Sequence, residues 1–247
     1  MKHNLLDFLL KRKHEGLKSL AVLVDPDKTS RLDELLRESV ASPPDIFLLG
    51  SSFKGDESIV QCIAKIRSVS KVPCVLFPGN MNQVVAEADA LLLLSVISSR
   101  NPDLLIGKHV EAALRIRQSE LEVVPTGYLL IESGRLTSVQ YMSQSLPIPR
   151  NKPELAAATA MAGEQLGMKA IYLEAGSGAE QTVPAAMITA VQASIEGLVF
   201  TGGGITKTEE LLACYRAGSD IAVVGNILEA EPGLLKSFAA VRDQCNP

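Results

Sequence analysis

The chain alternates short apolar runs with longer amphipathic segments. Eight runs of mainly aliphatic residues recur along the sequence, and within each run the apolar residues are largely consecutive instead of alternating with polar ones. Such runs are typical of strands covered on both faces, as in a parallel sheet flanked by helices. The predicted strands are residues 20–24, 46–49, 74–77, 91–94, 123–131, 170–173, 198–200 and 221–224.

Helical periodicity marks the segments that separate the runs. Residues 153–166 open with a proline at a favourable first helical position and stop before Gly167. Comparable patterns cover residues 30–40, 57–69, 103–118, 183–193, 207–217 and 234–242. Eight alternations within 247 residues predict one (β/α)8 barrel domain over residues 1–247. A doubly wound open sheet is the alternative fold.

The N-terminal segment has the pattern of an amphipathic helix rather than of a signal peptide. Four leucines between residues 5 and 10 fall on one helical face, and Asp7 interrupts the apolar run. The longest apolar stretch, residues 90–97, is too short to span a bilayer. We therefore expect no transmembrane segment and a cytoplasmic location.

Charge and cysteine content exclude two classes of function. The formal net charge is -4 and no basic run is present, so we expect no nucleic-acid partner. The four cysteines are scattered, with none at metal-ligand spacing, and indicate neither a zinc site nor a redox pair. Reduced thiols in a cytoplasm are the simplest interpretation.

Glycine-rich segments follow the last three predicted strands, at residues 174–179, 201–205 and 225–226. In a barrel of parallel strands the active site lies at the carboxyl ends of the strands, and the last loops commonly bind phosphate. A phosphate dianion needs several converging N–H donors, and glycine permits both close approach and positive φ. Thr206 and Asn226 are candidate caps for the following helices. The sequence therefore predicts a phosphate site here.

Carboxylates also follow predicted strands. Asp25, after the first strand, either caps a turn or presents a carboxylate that holds Mg²⁺ or acts as a base. Ser52, after the second strand, adds a hydroxyl that can share a hard cation bound to a diphosphate. Glu174 is expected to orient or deprotonate a hydroxyl, or else to form an ion pair, and Tyr172 lies on its side of the strand. Glu132 is either a second carboxylate at the mouth or a loop residue.

Seven segments, taken in order, resemble the geranylgeranylglyceryl phosphate synthase family, including its bacterial heptaprenylglyceryl phosphate relatives. They are residues 24–28, 49–52, 77–80, 147–154, 172–178, 202–205 and 224–226, and they span nearly the whole chain. The Tyr-Leu-Glu-Ala-Gly-Ser-Gly run at 172–178 is specific, whereas the triple-glycine and Gly-Asn segments occur in many phosphate-binding barrels.

The resemblance implies a Mg²⁺-dependent prenyltransferase that joins sn-glycerol 1-phosphate to a polyprenyl diphosphate, with geranylgeranyl diphosphate expected, through an ether bond. Asp25 and Ser52 would then bind Mg²⁺ at the diphosphate, and Glu174 and Asp25 would be the catalytic residues. The residues implied to hold glycerol phosphate are Tyr172, Leu173, Glu174, Ala175, Gly176, Ser177, Gly178, Gly203, Gly204, Gly225 and Asn226.

The resemblance also implies a homodimer, and a lipid product is consistent with transient contact with a membrane surface. Residues 134–152 form a long, mainly polar connection after the fifth strand. Connections of that length are usually functional or mobile, so we interpret this one as a lid or as a gate for the prenyl tail.

Two other functions fit a phosphate-binding barrel. A sugar-phosphate isomerase or lyase would use Asp25 and Glu132 as acid and base, with residues 79–80 as a second phosphate site. A non-catalytic barrel that only binds a phosphate ligand is the third possibility. Chelation of Mg²⁺ distinguishes the isomerase from the prenyltransferase. A proton-shuttling isomerase should stay active without Mg²⁺, whereas the prenyltransferase should not.

Overall fold

Eight parallel strands close into a barrel in this computed structural model, which describes residues 4–50, 56–79 and 83–246. The strands are β1 Ser19–Val24, β2 Ile46–Leu49, β3 Cys74–Leu76, β4 Ala90–Ser95, β5 Glu122–Leu130, β6 Ala170–Glu174, β7 Leu198–Gly202 and β8 Ile221–Val224. Neighbours along the chain pair in order, and β8 pairs with β1 to complete the ring. All eight predicted strands are confirmed, and the closed ring excludes the doubly wound sheet.

Helices accompany the strands, most of them in an outer layer around the barrel. They are α1 Leu5–His14, α2 Leu32–Ala41, α3 Asp56–Val69, α4 Lys108–Ser119, α5 Ser138–Ser143, α6 Pro153–Gln165, α7 Ala185–Gln192, α8 Thr208–Ala217, α9 Asn226–Ala230 and α10 Leu235–Gln244. The predicted helix at 103–118 divides into a π-helical turn, Asp103–Gly107, followed by α4. The described residues between β3 and β4, 77–79 and 83–89, contain no helix.

Alternate residues of each strand enter two separate hydrophobic clusters. In β1, Ala21 packs inside the barrel, whereas Leu20 and Val22 pack outward against the helices. Because side chains alternate across a strand, burial of both faces requires an uninterrupted apolar run. This explains why the strands were visible in the sequence.

Helix α1 closes the amino-terminal end of the barrel. Leu5 and Leu9 are buried in the cluster that fills the barrel interior, as the amphipathic pattern predicted. The backbone N–H groups of Leu5 and Leu6 donate to the Glu122 carboxylate at 2.5 and 2.9 Å. The opposite end, where the strands finish, stays open for a site. No helix in the described ranges is long and apolar enough to cross a bilayer.

The connection from 134 to 152 is partly helical, since it contains α5. The Thr137 N–H donates to the Gln140 side chain at 3.0 Å at the start of this helix. After it, Ile148 donates its N–H to the Leu130 carbonyl at 2.8 Å, which ties the chain back to β5. These bonds hold α5 beside the open end of the barrel.

Candidate active site

A cavity of about 310 Å³ opens at the carboxyl ends of the strands. Its walls come from every strand end except that of β4, and from α5. Among the described residues that line it are three carboxylates, Asp25, Glu174 and Glu229, and no lysine or arginine. A phosphate can enter a cavity with this charge only if backbone donors or nearby cations offset the repulsion.

Glu174 ends β6 and is buried in the wall of the cavity. One carboxylate oxygen, Oε1, accepts a 2.5 Å hydrogen bond from the Gly176 N–H, and the hydroxyls of Tyr128 and Tyr172 also donate to the carboxylate. Burial raises the pKa of Glu174 to about 7, although these three hydrogen bonds act in the opposite direction. A carboxyl with this pKa can take up a proton at neutral pH, as a general base must.

The two tyrosines stay protonated. Burial, and then the charge of Glu174, raise the pKa of both phenols well above the ordinary value. Tyr172 lies on the same face of β6 as Glu174, as predicted, and Tyr128 is its register partner on β5. Both phenols therefore act as hydrogen-bond donors that orient the carboxylate.

An aromatic cluster supports these phenols. The ring of Tyr172 stacks between Phe77, at a centroid distance of 5.0 Å, and Phe200, at 5.8 Å. The ring centroids of Tyr128 and Tyr172 are 5.4 Å apart. Such packing fixes ring positions, and an aromatic face beside the cavity can stabilise positive charge.

The loops after β6 and β7 approach each other so closely that a side chain is excluded. Gly203 has φ +85°, and a Cβ there would lie 2.5 Å from both Glu174 Oε1 and the Gly176 nitrogen. In the part of the chain that the structure describes, the N–H groups of Gly178, Gly203 and Gly204 donate to no protein acceptor. Free N–H groups in such loops form a concave site for an anion.

Ser177 links the loop after β6 to the start of α9. The Asn226 side-chain nitrogen donates to the Ser177 hydroxyl at 3.0 Å. The predicted capping role of Asn226 is wrong, because α9 begins at Asn226 and Gly225 occupies the capping position. Thr206 is not a cap either: α8 starts at Thr208, and the Thr206 N–H and hydroxyl both donate to Glu210.

Asp25 belongs to a small charged network at the edge of the cavity. Its Oδ1 accepts from the Asp27 N–H at 3.0 Å, which is the turn-capping contact, and its Oδ2 lies 3.6 Å from Lys28 Nζ. Lys28 also pairs with Glu229 at 3.3 Å, and Glu229 accepts from the Asp25 N–H at 3.3 Å. Burial raises the pKa of Glu229, while Lys28 lowers it.

Most of the residues expected to hold glycerol phosphate surround the cavity. Leu173 and Ala175 instead point into the hydrophobic layer outside the strands. The Ala175 N–H donates to the Gly202 carbonyl at 3.0 Å, and the Gly176 N–H donates to the Glu174 carboxylate. Both N–H groups are therefore already used within the protein. The expected residues that line the cavity are Tyr172, Glu174, Ser177, Gly178, Gly203, Gly204, Gly225 and Asn226.

Two other candidates lie elsewhere. Ser52, the second expected metal ligand, is outside the described residues. Glu132 does not line the cavity. Its carboxylate accepts from the Arg150 N–H at 3.3 Å and its carbonyl from the Arg150 guanidinium at 2.8 Å. Of the two interpretations of Glu132, a second carboxylate at the mouth or a loop residue, the structure supports the loop residue.

The sequence model of the PcrB family matches residues 12–242. The chain belongs to the PcrB family. Among its relatives, a geranylgeranylglyceryl phosphate synthase of Spirosoma linguale is 46% identical over 95% of each chain. One from Chitinophaga pinensis is 43% identical over 97% of this chain and 96% of its own.

A similar barrel is found among solved structures. The (S)-3-O-geranylgeranylglyceryl phosphate synthase of Thermoplasma acidophilum, in complex with its substrate sn-glycerol-1-phosphate, matches with a TM-score of 0.91. The two sequences are 24% identical, and the match covers 99% of both chains. At that identity the likeness shows the shared barrel.

In this PcrB chain, Asp25 has the chemistry of a Mg²⁺ ligand. Within the described ranges, no group of three or more His, Cys, Asp or Glu side chains is arranged to hold a metal. Mg²⁺, however, is usually held by one or two carboxylates together with substrate phosphates and water. A hard carboxylate oxygen that borders the cavity, with Lys28 Nζ 3.6 Å away, fits that mode.

Some residues of the PcrB site were missed in the sequence. Tyr128 had a weak signal, since it is the one polar aromatic residue within an otherwise largely aliphatic predicted strand. Glu229 had no signal in the sequence, because the residue that it contacts, Asp25, is 204 positions away. Val139 and Met142 line the cavity from α5, which is only six residues long and too short for a periodic pattern.

Proposed function

We propose that this chain is a Mg²⁺-dependent prenyltransferase that joins sn-glycerol 1-phosphate to a polyprenyl diphosphate, with geranylgeranyl diphosphate as the expected donor. The products are geranylgeranylglyceryl phosphate and pyrophosphate. The observation that carries this proposal is the buried Glu174 carboxyl, with a pKa of about 7, beside glycine loops that have free N–H donors. The names of the PcrB relatives support the same reaction.

The loops after β6, β7 and β8 suit the phosphate of sn-glycerol 1-phosphate. The N–H groups of Gly178, Gly203 and Gly204 supply donors, and the linked side chains of Ser177 and Asn226 add polar groups at the same edge. A phosphate bound there leaves the glycerol hydroxyls in the cavity with Glu174. The T. acidophilum relative, which binds sn-glycerol-1-phosphate, supports this choice of ligand.

The reaction exchanges one carbon–oxygen bond for another. The bond between the first prenyl carbon and the diphosphate oxygen breaks, and pyrophosphate leaves with the electron pair. A glycerol hydroxyl oxygen bonds to that carbon, and Glu174 accepts the hydroxyl proton. Tyr128 and Tyr172 keep the carboxylate oriented, and the neighbouring ring of Phe77 can stabilise positive charge on the allylic carbon.

Asp25 is the residue that would hold Mg²⁺ at the diphosphate, with Ser52 as the expected second ligand. When bound, Mg²⁺ offsets the negative charge that grows on the leaving pyrophosphate. Lys28, 3.6 Å from Asp25 Oδ2 and 3.3 Å from Glu229, adds positive charge at the same edge of the cavity. The assignment rests on the position and chemistry of Asp25.

Apolar side chains line another part of the cavity and suit a prenyl tail. Leu23 comes from β1, Ile227 from α9, and Val139 and Met142 from α5. The presence of α5 in the wall supports the interpretation of 134–152 as a lid or gate. Leu146, 87% exposed on the same connection, suits the proposed transient contact with a membrane surface, where prenyl lipids reside.

A homodimer and a cytoplasmic location complete the proposal. Ile106, Val110 and Leu114 follow one another at four-residue intervals on the outer surface and are 59%, 69% and 76% exposed. An exposed apolar stripe of this kind supports a protein partner, and a second copy is the expected one.

The proposed function is tested by incubating the protein with sn-glycerol 1-phosphate and prenyl diphosphates of several lengths, with Mg²⁺ and then with EDTA. Ether product that disappears with EDTA supports the prenyltransferase and reports the preferred length. Absence of product at every length, from folded protein that binds glycerol phosphate, contradicts it. Asp25 and Gly79, which the isomerase would also use, line the cavity, and residue 80 lies outside the described residues. The isomerase remains the second candidate because Glu132, its second carboxylate, does not line the cavity.

A further inference from the structure

We infer that Arg135, on the connection between β5 and α6, is a substrate-binding residue that completes the phosphate site formed by the loop after β6. The inference rests on the proposed function, since its ligand is the phosphate of sn-glycerol 1-phosphate. Arg135 lies 37 positions before the 172–178 run and outside every segment that carries the family resemblance.

The guanidinium of Arg135 is in contact with the glycine loop. Gly178 has φ +70°, and a Cβ on it would lie 2.6 Å from Arg135 Nη2. The glycine therefore leaves the space that the guanidinium occupies. Gly178 is also a wall residue of the cavity, and its N–H has no protein acceptor among the described residues. A phosphate oxygen that accepts from this N–H would be adjacent to Arg135.

The charge of the cavity creates the need for such a cation. Its described lining contains Asp25, Glu174 and Glu229 and no positive side chain, and a phosphate dianion adds further negative charge. Lys28 is already paired with two of these carboxylates. Arg135, in contrast, makes no ion pair or hydrogen bond through its guanidinium within the ranges that the structure describes. Its five N–H donors are free to form the paired hydrogen bonds that suit phosphate.

The backbone that carries Arg135 is fixed to the same loop. Thr137 is buried against Gly176, where a Cβ would lie 2.5 Å from Thr137 Cγ2. The Thr137 hydroxyl donates to no acceptor in the described chain. Gly134, on the other side of Arg135, packs against Glu180, since a Cβ on Gly134 would lie 3.1 Å from Glu180 Oε2. These two contacts fix the backbone on both sides of Arg135 beside the phosphate loop, so less of the backbone has to be ordered when a ligand arrives. The exposed guanidinium occupies the space that Gly178 leaves free.

The test compares Arg135→Met, which removes the charge and keeps an unbranched stem, with Arg135→Lys and with Arg117→Met. Arg117 is an exposed arginine on α4, and Arg117→Met changes the net charge by the same amount as Arg135→Met. Titration calorimetry measures the binding of sn-glycerol 1-phosphate and, separately, of inorganic phosphate. We expect Arg135→Met to weaken both about fivefold to twentyfold, as for loss of a charge-assisted hydrogen bond at a partly exposed site. Arg135→Lys should recover part of the affinity, and Arg117→Met should bind as the parent protein does.

Unchanged affinity in Arg135→Met, or an equal loss in Arg117→Met, would overturn the inference. So would a raised KM for the prenyl diphosphate with unchanged binding of glycerol phosphate, because Arg135 would then serve the other substrate. Equal melting temperatures show that the fold is intact. If the prenyltransferase proposal itself fails, the parent protein forms no ether, yet the phosphate titrations still decide the role of Arg135.

Discussion

The hydroxyl of Tyr172 donates a hydrogen bond to the carboxylate of Glu174, two residues later on the same face of β6. Tyr172 is 1% exposed and Glu174 is 6% exposed, so water contributes little to the solvation of either group. Burial raises the pKa of Glu174 to about 7, and the phenol hydrogen bonds limit the increase by stabilising the charged form. This contact therefore lowers the pH at which the ionised base becomes available, against the larger effect of burial.

Tyr172→Phe should shift the pH–rate profile to higher pH. Loss of one phenol donor leaves the Glu174 carboxylate less stabilised, so its pKa rises and the rate at neutral pH falls several-fold, while the alkaline plateau is largely retained. The measurement is kcat as a function of pH. Tyr215→Phe is the control, because Tyr215 is a buried phenol that donates to the Ser19 carbonyl at 2.9 Å, away from the cavity. An unchanged profile in Tyr172→Phe would contradict the proposed contact.

Glu174→Gln should lower kcat/KM by about 10²- to 10⁴-fold, the usual contribution of a general base. The amide oxygen can still accept from the Gly176 N–H and from the phenols, so the loops should keep their shape. Steady-state kinetics measures the loss, and calorimetry checks that sn-glycerol 1-phosphate still binds. If the variant retains near-normal turnover, Glu174 orients the hydroxyl without taking its proton.

The same substitution should change how stability depends on pH. The pKa of Glu174 is about 7 in the folded chain and has the ordinary value of 4.5 in the unfolded one. Between these values the folded state binds more protons, so the stability contributed by protonated Glu174 is present below pH 4.5 and is lost as pH rises to about 7. Glu174→Gln has no such loss. The unfolding free energy of Glu174→Gln, relative to that of the parent protein, should therefore rise by up to about 3 kcal/mol between about pH 5 and about pH 8.

Urea unfolding at several pH values measures this difference. It should grow with pH and level off above about pH 7, once Glu174 is ionised in the folded protein. A difference that is constant across the range would show that Glu174 is not buried with a raised pKa.

Gly203→Ala should weaken glycerol phosphate binding and lower activity. The new Cβ would lie 2.5 Å from Glu174 Oε1 and from the Gly176 nitrogen, which forces the two loops apart. We expect binding about tenfold weaker or worse, and roughly 1–3 kcal/mol less stability from the strained backbone. Gly167→Ala is the control, since Gly167 also has positive φ, +96°, but has no atom within 4 Å of its added Cβ. Equal losses of binding in both variants would rule out the steric explanation.

Asp25→Asn should raise the Mg²⁺ concentration required for half-maximal activity by about tenfold or more, because the charged ligand oxygen is lost. Binding of sn-glycerol 1-phosphate in the absence of Mg²⁺ should be unaffected. Asp33→Asn is the matched control, because Asp33 is an exposed carboxylate that pairs with Lys65 at 3.2 Å on the surface. If both variants respond to Mg²⁺ like the parent protein, Asp25 is not the metal ligand.

The strands and the glycine loops were predictable because their signals are local. A strand that is buried on both faces must be apolar throughout, and a loop that places Gly203 against Glu174 must use glycine. The sequence order of strands in the barrel then brings the three loops to one edge without further information.

Contacts between distant segments were not predictable in the same way. Glu229 reaches Asp25 across 204 positions, and Arg135 reaches Gly178 from a connection that has no repeating pattern. The capping roles of Thr206 and Asn226 were wrong because each depends on the residue at which a helix starts, and helix starts vary by one or two positions.

The most direct test of the central claim, that the cavity beside Glu174 forms a prenyl ether of glycerol phosphate, is mass spectrometry of the product. The protein is incubated with Mg²⁺, geranylgeranyl diphosphate and sn-glycerol 1-phosphate carrying heavy oxygen in its hydroxyl groups. We predict an ether that retains the heavy oxygen at the new bond, is absent with EDTA and is nearly absent with Glu174→Gln. Loss of the label, or no ether with any prenyl length from folded protein that binds glycerol phosphate, would contradict the claim.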